Sequence, residues 1–466
     1  MKGTLLIAGT IYILLLVAFT MLTKTKEKDS KSYFLAGANL GSILGLFTFA
    51  ATLFSTFTLL GMPEFFRTHG VGAWIFLAVS DLVMVFILLW IGYHLRKKTR
   101  GQAYLGMAGF MEKCYESRLA GIVAFLGAFI FLIPYVAIQI RGVATFLQGA
   151  SENGLPLWVY AVGMVVIMLI YSEIGGLKAI IYSDTLQGIL LLIIIWMIGI
   201  SCLNKLGGLT STFEQINAQN EALLSIPGPK GLLNFQFLFG SMVAICMIPF
   251  TQPQVSTRLI IMKNERSLFR TAIGLGTFAI LVILPTLFIG MYGAIKYADA
   301  SIPEFQAQSL IHDQAGYLGA FMIIGLVAAA ISTADSQIFA LGGETRSLLK
   351  GEDKSMVKIA RIGIFIFAGL ALIFALKTSD QLVLLARSSF MGTALLAPMI
   401  FTGIFYERAN RIITLPWLTL GAIIIFILTE LDVTPKTFLA VRADLILLGV
   451  LGLYALISVM SDKRRA

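Results

Sequence analysis

Long apolar blocks, each bounded by charged or Gly/Pro-rich segments, run through the whole sequence. Their length of about 20 residues is what an α-helix needs to cross ~30 Å of hydrocarbon. Thirteen such blocks predict membrane spans near residues 3–22, 40–60, 72–95, 119–147, 157–172, 179–203, 232–250, 268–295, 316–345, 356–376, 381–406, 411–429 and 440–460. We therefore predict an all-α polytopic membrane protein with about 13 transmembrane helices.

The composition agrees with this pattern and narrows the function. Hydrophobic residues make up 58% of the 466 and charged residues only 13%, with a mean hydropathy of +0.88, which excludes a water-soluble protein. The loops are too short for a soluble catalytic domain or a fused signalling domain. No His-Glu-x-x-His or Gly-x-Ser-x-Gly motif is present and the three cysteines are scattered, so we expect neither an enzyme nor a thiol-based metal centre.

The net charge of +10 indicates membrane topology and argues against a nucleic-acid partner. Most of the 35 lysine and arginine residues fall in loops on one side of the predicted spans, together with the tail at 463–465. By the positive-inside rule this side is cytoplasmic, and the N-terminus is outside. The first block lacks a small-residue cleavage site, so we interpret it as an uncleaved span. We predict a multi-pass protein of the plasma (inner) membrane, held in the lipid bilayer, with no obligate protein partner evident.

Three clusters of polar residues interrupt the apolar spans. In the first, Ser332, Asp335 and Ser336 share one helical face on a background of small residues, and Thr333 lies about 100° around the helix. Oxygen ligands of this kind suit a weakly held hard cation such as Na⁺. The alternative is that the hydroxyls bond to their own helix and Asp335 meets an arginine.

The second cluster follows a tight turn that we predict at Gly175-Gly176. Asp184 lies about two helical turns beyond it. At that depth a carboxylate needs an ion, a hydroxyl cluster or a structural hydrogen bond as its partner.

The third cluster places four hydroxyl residues within positions 52–58, followed by Gly61 and Pro63. This composition predicts a span that unwinds and offers backbone carbonyls to a ligand, the alternative being a Ser/Thr-rich packing face. The span at 232–250 is also interrupted, by Gly240 and Pro249. Two broken helices in comparable positions of two halves are typical of inverted-repeat secondary transporters.

At these residues the sequence resembles the sodium:solute symporter family over nearly its whole length. The shared motifs are Tyr-Phe-Leu-x-Gly at 33–37, a broken helix ending in Gly-x-Pro at 61–63, a Gly-Gly-x-x-Ala turn at 175–179 followed by Asp184 and Gln187, and Ala-x-x-Ser-Thr at 329–333. The resemblance implies a leucine-transporter-like fold within one transporter domain, 1–466. Its two inverted five-helix repeats would lie near 40–203 and 232–406, with one span before them and two extra spans at 411–460.

The resemblance also implies sodium ligands. The central sodium site would use the carbonyls of Ala51, Phe54 and Ala329 and the hydroxyls of Ser332 and Thr333. A further site, found in some members, would map to Asp184, Ser332, Ser336 and the position of Asp335, where the sialic acid transporter has serine. A second acid there either strengthens the sodium site or binds a proton. Ala38 replaces an arginine of several members and Leu53 an aspartate of the proline transporter, so we do not transfer proline as the substrate.

Two arginines inside the spans favour an anionic solute, because guanidinium groups bind carboxylates bidentately. Arg141 lies one position from the arginine that binds the substrate carboxylate in the sialic acid relative, and Arg387 lies in a helix that often lines the family's outer cavity. The alternative for each is an ion pair with Asp81 or Asp335.

We predict Na⁺-coupled symport of a small carboxylate-bearing solute by alternating access. The candidate solute contacts are Thr52, Ser55, Thr56, Gln139 and Arg141. The alternatives are a sodium-coupled sugar or polyol symporter and a proton-coupled variant, with a channel or a membrane sensor less favoured.

Overall fold

Long helices make up most of the chain in the computed structural model, which describes residues 2–23, 34–35, 39–100, 104–150, 155–350 and 353–465. The helices are α1 (Lys2–Thr23), α2 (Ser42–Leu53), α3 (Phe57–His69), α4 (Ile75–Thr99), α5 (Met107–Tyr115), α6 (Arg118–Gly149), α7 (Leu157–Lys205), α8 (Leu209–Asn220), α9 (Phe235–Thr251), α10 (Pro253–Ile261), α11 (Glu265–Lys296), α12 (Ile302–Ala307), α13 (Gly316–Leu348), α14 (Asp353–Lys377), α15 (Leu382–Ala394), α16 (Ala397–Phe405), α17 (Thr414–Glu430) and α18 (Ala443–Arg465). Short 3₁₀ turns lie at Glu221–Leu224 and Ala409–Arg411, and two two-residue strands, β1 (Thr437–Phe438) and β2 (Val441–Arg442), pair antiparallel.

The helices coincide with the predicted spans. Within the described residues, seven helices are long and apolar enough to cross a membrane, and three further pairs do so as bent helices. Three shorter apolar helices, Gly3–Ala18, Leu157–Ile170 and Thr414–Glu430, fall at the remaining predicted positions. The all-α architecture with about thirteen spans is therefore confirmed.

The predicted turn at Gly175-Gly176 lies inside α7. Gly176 has φ 60° and ψ −174°, a conformation that L-residues with a Cβ rarely adopt, and the chain reverses there between two spans. The second half of α7 then carries Asp184 into the bundle.

Two spans break in the same way, one in each predicted repeat. Phe54 separates α2 from α3 with φ −100° and ψ 119°, and Gln252 separates α9 from α10 with φ −104° and ψ 120°. The two halves bend by 56° and 52°, respectively. Pro253 opens α10, where its fixed φ and missing N–H are tolerated. Matching breaks at the first span of each half are what an inverted repeat produces.

Two span boundaries extend beyond their predicted ends, and a third break was not predicted. Helix α3 continues to His69, and α10 carries the seventh span to Ile261 rather than ending near residue 250. Helices α15 and α16 bend by 41° around Leu395 and Leu396, although neither residue is a glycine or a proline. Helix α10 matters for the site because it brings the charged residue Arg258 into the bundle.

Helix α13 forms the centre of the bundle. It is the most buried of the long spans and packs against α6, α7 and α14, while α18 is the least buried and lies at the periphery. Its small residues Ala328, Ala329 and Ala330 are buried, which lets neighbouring backbones approach closely. Helix α2 also packs on α13, so the break at Phe54 faces the hydroxyl cluster at residues 332–336.

Candidate functional site

The break after α2 leaves the carbonyl of Ala51 available to side chains. In a continuous helix this carbonyl would accept the N–H of Ser55, but that N–H instead donates to Thr58 Oγ1 at 3.1 Å. The hydroxyl of Thr333 donates to the Ala51 carbonyl at 2.8 Å, and Ser332 Oγ lies 3.3 Å from the same oxygen. Three of the five predicted ligands of the central sodium site therefore meet at one point.

The other two predicted ligands of this site lie beside that point. Phe54 is the extended residue of the break itself, and Ala329 lies one helical turn before Thr333 on α13. Both are buried. The carbonyl of Leu53, by contrast, accepts the Tyr135 hydroxyl at 3.2 Å.

Asp184 lies in a fully buried polar network next to this point. Ser332 donates to Asp184 Oδ1 at 2.6 Å, and Thr48 donates to Oδ2 at 2.5 Å. The guanidinium of Arg258, on α10, lies 3.0 Å from Oδ2 and also donates to Ser336 Oγ at 2.6 Å. Asp184, Ser332 and Ser336 are thus brought together as predicted, around a cation that the sequence analysis did not anticipate.

Arg258 is the functional residue that sequence reasoning missed. Its Nε donates to Thr48 Oγ1 at 2.8 Å and its Nη1 to the Gln254 carbonyl at 2.8 Å, so the whole guanidinium is hydrogen-bonded. The sequence analysis ends the seventh span near residue 250 and therefore leaves Arg258 in the loop that follows. The signal in the sequence was Pro253. A proline inside a helix ends it, but a proline at the first position of a helix is well tolerated and often starts a new one.

Asp335 stands apart from this network. It is fully buried, and within the described part of the chain neither carboxylate oxygen has a hydrogen-bond partner. It lies on α13, against which the first span, α1, also packs. The Tyr12 hydroxyl accepts a hydrogen bond from Gln187 at 2.9 Å. Both oxygens of Asp335 are therefore unpaired within the described residues.

Both intramembrane arginines form ion pairs, but not with Asp81 or Asp335, the partners that we considered. Arg141 pairs with Asp380 at 2.8 Å, at the end of α6 that the predicted topology places outside. Arg387 donates to Asp444 at 2.9 Å and to Ser241 at 2.9 Å. Neither arginine meets Asp81 or Asp335, because Asp380 and Asp444 already pair with the two guanidinium groups.

Arg387 is held in a cluster formed by α9, α15 and α18. Its guanidinium lies over the Phe237 ring at 5.0 Å, and Arg442 shares Asp444 with it at 2.9 Å. The pair ties α15 to α18 and α9. A guanidinium with these partners is satisfied by the protein itself.

The remaining candidate solute contacts lie at the break, and most of their polar groups are engaged by the protein. Gln139 accepts the N–H of Thr56 at 3.2 Å, and Ser55 Oγ accepts the N–H of Phe57 at 3.2 Å. Thr52 faces α13, donating to the Thr48 carbonyl at 2.7 Å with Ser336 Oγ at 3.3 Å. The hydroxyl of Thr56 is buried without a partner among the described residues.

A small cavity, here called the central cavity, lies on the other side of the break. It has a volume of about 20 Å³ and is lined by residues of five spans. Four of its lining residues are aromatic, five are aliphatic and one is charged. The charged residue is Asp81 of α4, which directly follows the π-helical turn Ile75–Val79.

A much larger cavity, here called the outer cavity, opens towards the predicted outside. Its volume is about 810 Å³, and its lining includes Gly61, Glu64, Lys230, Asp299 and Gln381. Gly61 at its floor belongs to the same π-helical turn as Phe57, which lines the central cavity. The outer cavity therefore leads towards the helix break, and the π-helical turn separates the two spaces.

Comparison with known proteins identifies the family. The sequence pattern of the Sodium:solute symporter family matches residues 33–415, well over half of the chain. The chain belongs to the sodium:solute symporter family. As a sodium:solute symporter, it is a secondary transporter that couples a small organic solute to Na⁺, which confirms the predicted function at this level.

Similar curated symporters cover almost the whole chain. The sodium/pantothenate symporter of Escherichia coli (strain K12) is 22% identical over 465 residues, 95% of this chain and 93% of that protein. The osmoregulated proline transporter OpuE of Bacillus subtilis (strain 168) is 22% identical over 91% of this chain and 87% of its own. The Tyr-Phe-Leu-x-Gly motif and Ala38 lie largely outside the described residues, so the structure does not bear on them.

Solved structures share the fold. A Na⁺-coupled sialic acid symporter in a substrate-bound outward-open state superposes with a TM-score of 0.80 at 17% identity, covering 98% of this chain and 97% of that one. MHP1, a nucleobase-cation-symport-1 family transporter in a closed conformation, gives 0.60 at 13% identity, over 94% and 96% of the two chains. The symporter described here therefore has the leucine-transporter-like fold.

Proposed function

We propose that this symporter uses the inward flow of Na⁺ to take up a small carboxylate-bearing solute across the plasma membrane, with its N-terminus outside. The observation that carries the sodium half is the meeting of the Thr333 and Ser332 hydroxyls with the Ala51 carbonyl, which α2 leaves free by ending at Leu53. We propose that Na⁺ binds there, with the carbonyls of Phe54 and Ala329 completing the site.

The chemistry of this point supports sodium. All of its donor atoms are neutral oxygens, which suit a hard monovalent cation that must bind and leave in each cycle. The oxygens come from two separate elements, the break after α2 and the middle of α13. An ion that holds both together stabilises one arrangement of the two repeats, and its departure allows the other, which is how binding drives alternating access.

The proposal for the solute rests on the position of the outer cavity relative to the helix break and on the solutes named for similar proteins. The solute would enter through the outer cavity and bind beside the break, near Ser55, Thr56 and Gln139, with Arg141 at the outer end. Pantothenate, proline and sialic acid, the solutes named for similar proteins, all carry a carboxylate, and this supports the same class here. We propose a further cation site at Asp184, Asp335, Ser332 and Ser336.

A proton-coupled variant is the second candidate, because of Asp335. A buried carboxylate without a partner is costly in its charged form, and binding either a proton or a sodium ion removes that cost. The two ions lead to different experimental results. If Asp335 binds a proton, uptake responds to a pH gradient; if it binds a sodium ion, uptake does not.

The proposal is tested with purified protein in liposomes. Uptake of labelled proline and pantothenate is measured with an inward Na⁺ gradient, with K⁺ replacing Na⁺, and with an inward proton gradient alone. We expect uptake of at least one carboxylate only in the Na⁺ gradient, and at least a ~10-fold higher sodium requirement in Ser332→Ala. Equal uptake in K⁺ would contradict sodium coupling, and uptake in the proton gradient alone would favour the second candidate.

A further inference from the structure

Asp81 is a membrane-embedded acid whose carboxylate no protein group neutralises. It is half-buried, it lines the central cavity, and among the described residues it forms no hydrogen bond or ion pair. The other acids at this depth differ from Asp81: Asp184 and Asp444 are paired with arginines, and Asp335 is fully buried. Intramembrane acids persist when they meet a cation, and the cavity is the space from which a cation can reach Asp81.

The walls around Asp81 are aromatic. Phe54 and Phe57 from the break, Tyr135 from α6 and Phe390 from α15 all line the central cavity. The Tyr135 and Phe390 rings meet edge to face at 5.0 Å, and Phe57 meets Phe390 in the same way at 6.3 Å. Aromatic faces around a carboxylate attract an organic ammonium group, because the ring quadrupole and the negative charge act in the same direction.

We propose that the solute of this symporter carries a positively charged nitrogen, and that Asp81 and the aromatic walls of the central cavity bind it. This inference rests on the proposed function and adds the solute's chemical class. Together with the proposed carboxylate, it makes the solute a zwitterion. Arg141 lies six residues beyond Tyr135 on α6, about 9 Å further towards the predicted outer side and about 240° around the helix, so we place the ammonium end of the solute deepest.

Other occupants fit the central cavity less well. A sodium ion takes several oxygen ligands, whereas the lining offers only Asp81 and the Tyr135 hydroxyl as polar side chains, and that hydroxyl already donates to Leu53. A sugar needs many hydrogen-bond partners, which nine aromatic and aliphatic side chains around a single acid do not supply. An ammonium group with apolar substituents fits this lining, because its charge pairs with Asp81 and its substituents pack against the aromatic and aliphatic side chains.

The flanking backbone also indicates a binding place. Asp81 follows the π-helical turn Ile75–Val79, and Phe57 begins the π-helical turn Phe57–Gly61 on the opposite wall. π-Helical turns are rare and occur mostly at functional sites. At about 20 Å³ the cavity is nearly closed, so the solute's ammonium group enters as α3 and α15 move apart.

The test compares solutes that differ only in the charged nitrogen. Thermal stability of the purified protein is measured in Na⁺ and in K⁺ with three matched pairs: β-alanine against butyrate, proline against cyclopentanecarboxylate, and glycine betaine against tert-butylacetate. A solute that binds the folded protein raises its stability in proportion to ln(1 + [L]/Kd). We expect the ammonium member of at least one pair to bind at least ~10-fold more tightly than its nitrogen-free partner, and only in Na⁺.

Three variants test whether Asp81 causes the preference for the ammonium-bearing solute. Asp81→Asn is expected to abolish it and to leave the stabilisation by Na⁺ alone unchanged, and Asp81→Glu to retain part of it. Asp313→Asn is the matched control, because Asp313 accepts hydrogen bonds from Tyr292 and Tyr297 away from the central cavity. The control should keep the full preference.

The outcomes separate the inference from the proposed function. Nitrogen-free carboxylates that bind as tightly as their ammonium partners in Na⁺ would overturn the inference and leave sodium-coupled carboxylate uptake intact. So would a preference that survives in Asp81→Asn, or no stabilisation by any ammonium member at 10 mM, a concentration about 10-fold above a weak Kd of 1 mM. Loss of the sodium effect itself would instead count against the proposed function.

Discussion

The guanidinium of Arg258 lies 3.0 Å from Asp184 Oδ2 in the centre of the bundle, with 1% and 0% of the two side chains exposed. Asp184 also accepts hydrogen bonds from Ser332 and Thr48, so the carboxylate has partners on both oxygens. An internal cation thus lies beside the place where we propose that sodium binds. Sodium binding and this ion pair therefore compete for the same carboxylate charge.

The first prediction concerns this ion pair. Arg258→Ala leaves a buried charge on Asp184, and breaking a buried pair costs about 3–5 kcal/mol. We expect the variant to be less stable in K⁺ and to gain more stability from added Na⁺ than the parent protein does, because sodium supplies the missing positive charge. The measurement is the melting temperature as a function of Na⁺ concentration.

A matched control exists for this prediction. Arg387→Ala breaks the other buried pair, with Asp444 at 2.9 Å, on spans that do not contact the hydroxyl cluster of α13. It should lower stability by a smaller amount, because Arg442 still pairs with Asp444, and without any enhanced rescue by sodium. Equal sodium rescue in both variants would contradict the link between Arg258 and the sodium site.

The second prediction concerns the hydroxyl of Thr333. It donates to the Ala51 carbonyl at 2.8 Å, so Thr333→Ala removes an ion ligand and leaves the helix intact. We expect the Na⁺ concentration for half-maximal uptake to rise at least ~10-fold. Thr419→Ala is the control, because its hydroxyl donates to the Leu415 carbonyl of its own helix at 2.9 Å, and it should change the value less than ~2-fold. A parent-like sodium requirement in Thr333→Ala would place the ion elsewhere.

The sequence predicted the fold because the bilayer fixes the length of each apolar block. Each predicted span coincides with a helix, and the break at Phe54 followed from the hydroxyls, Gly61 and Pro63 around it. The hydroxyls of Ser332 and Thr333 were identifiable too, since polar groups at the middle of a span need a reason to be there.

What the sequence did not reveal are the partners that only the tertiary fold creates. Arg258 was counted with a loop because the seventh span was ended at residue 250, although α10 continues to Ile261. Arg387 and Asp444 were both recognised as intramembrane charges, but the pairing of α15 with α18 follows from packing and not from any local pattern. The bend at Leu395 lies between Gly392 and Pro398, the second residue of α16, so a signal similar to Pro253 was present in the sequence.

The third prediction separates the two candidate ions at Asp335. Both carboxylate oxygens are buried without a partner in the described chain, next to Asp184. If a second sodium binds there, Asp335→Asn should lower the Hill coefficient for Na⁺ from near two to near one. Asp335→Ser, which keeps an oxygen ligand, should preserve more of the cooperativity. An unchanged Hill coefficient, combined with loss of proton-driven uptake in Asp335→Asn, would assign a proton to this site instead.

The fourth prediction concerns Arg141, which we propose as the partner of the solute's carboxylate and which the structure pairs with Asp380 at 2.8 Å. The pair is partly exposed, at 17% and 28% of the two side chains, so it is weak enough for a solute to exchange with Asp380. Arg141→Ala should therefore reduce uptake of a carboxylate solute at least ~10-fold, whereas Asp380→Asn frees the guanidinium and should leave uptake unchanged or raise it. The measurement is initial uptake in liposomes, with the sodium requirement recorded for each variant. Similar losses in both variants, with no further loss when they are combined, would instead make the pair a structural link between α6 and the start of α15.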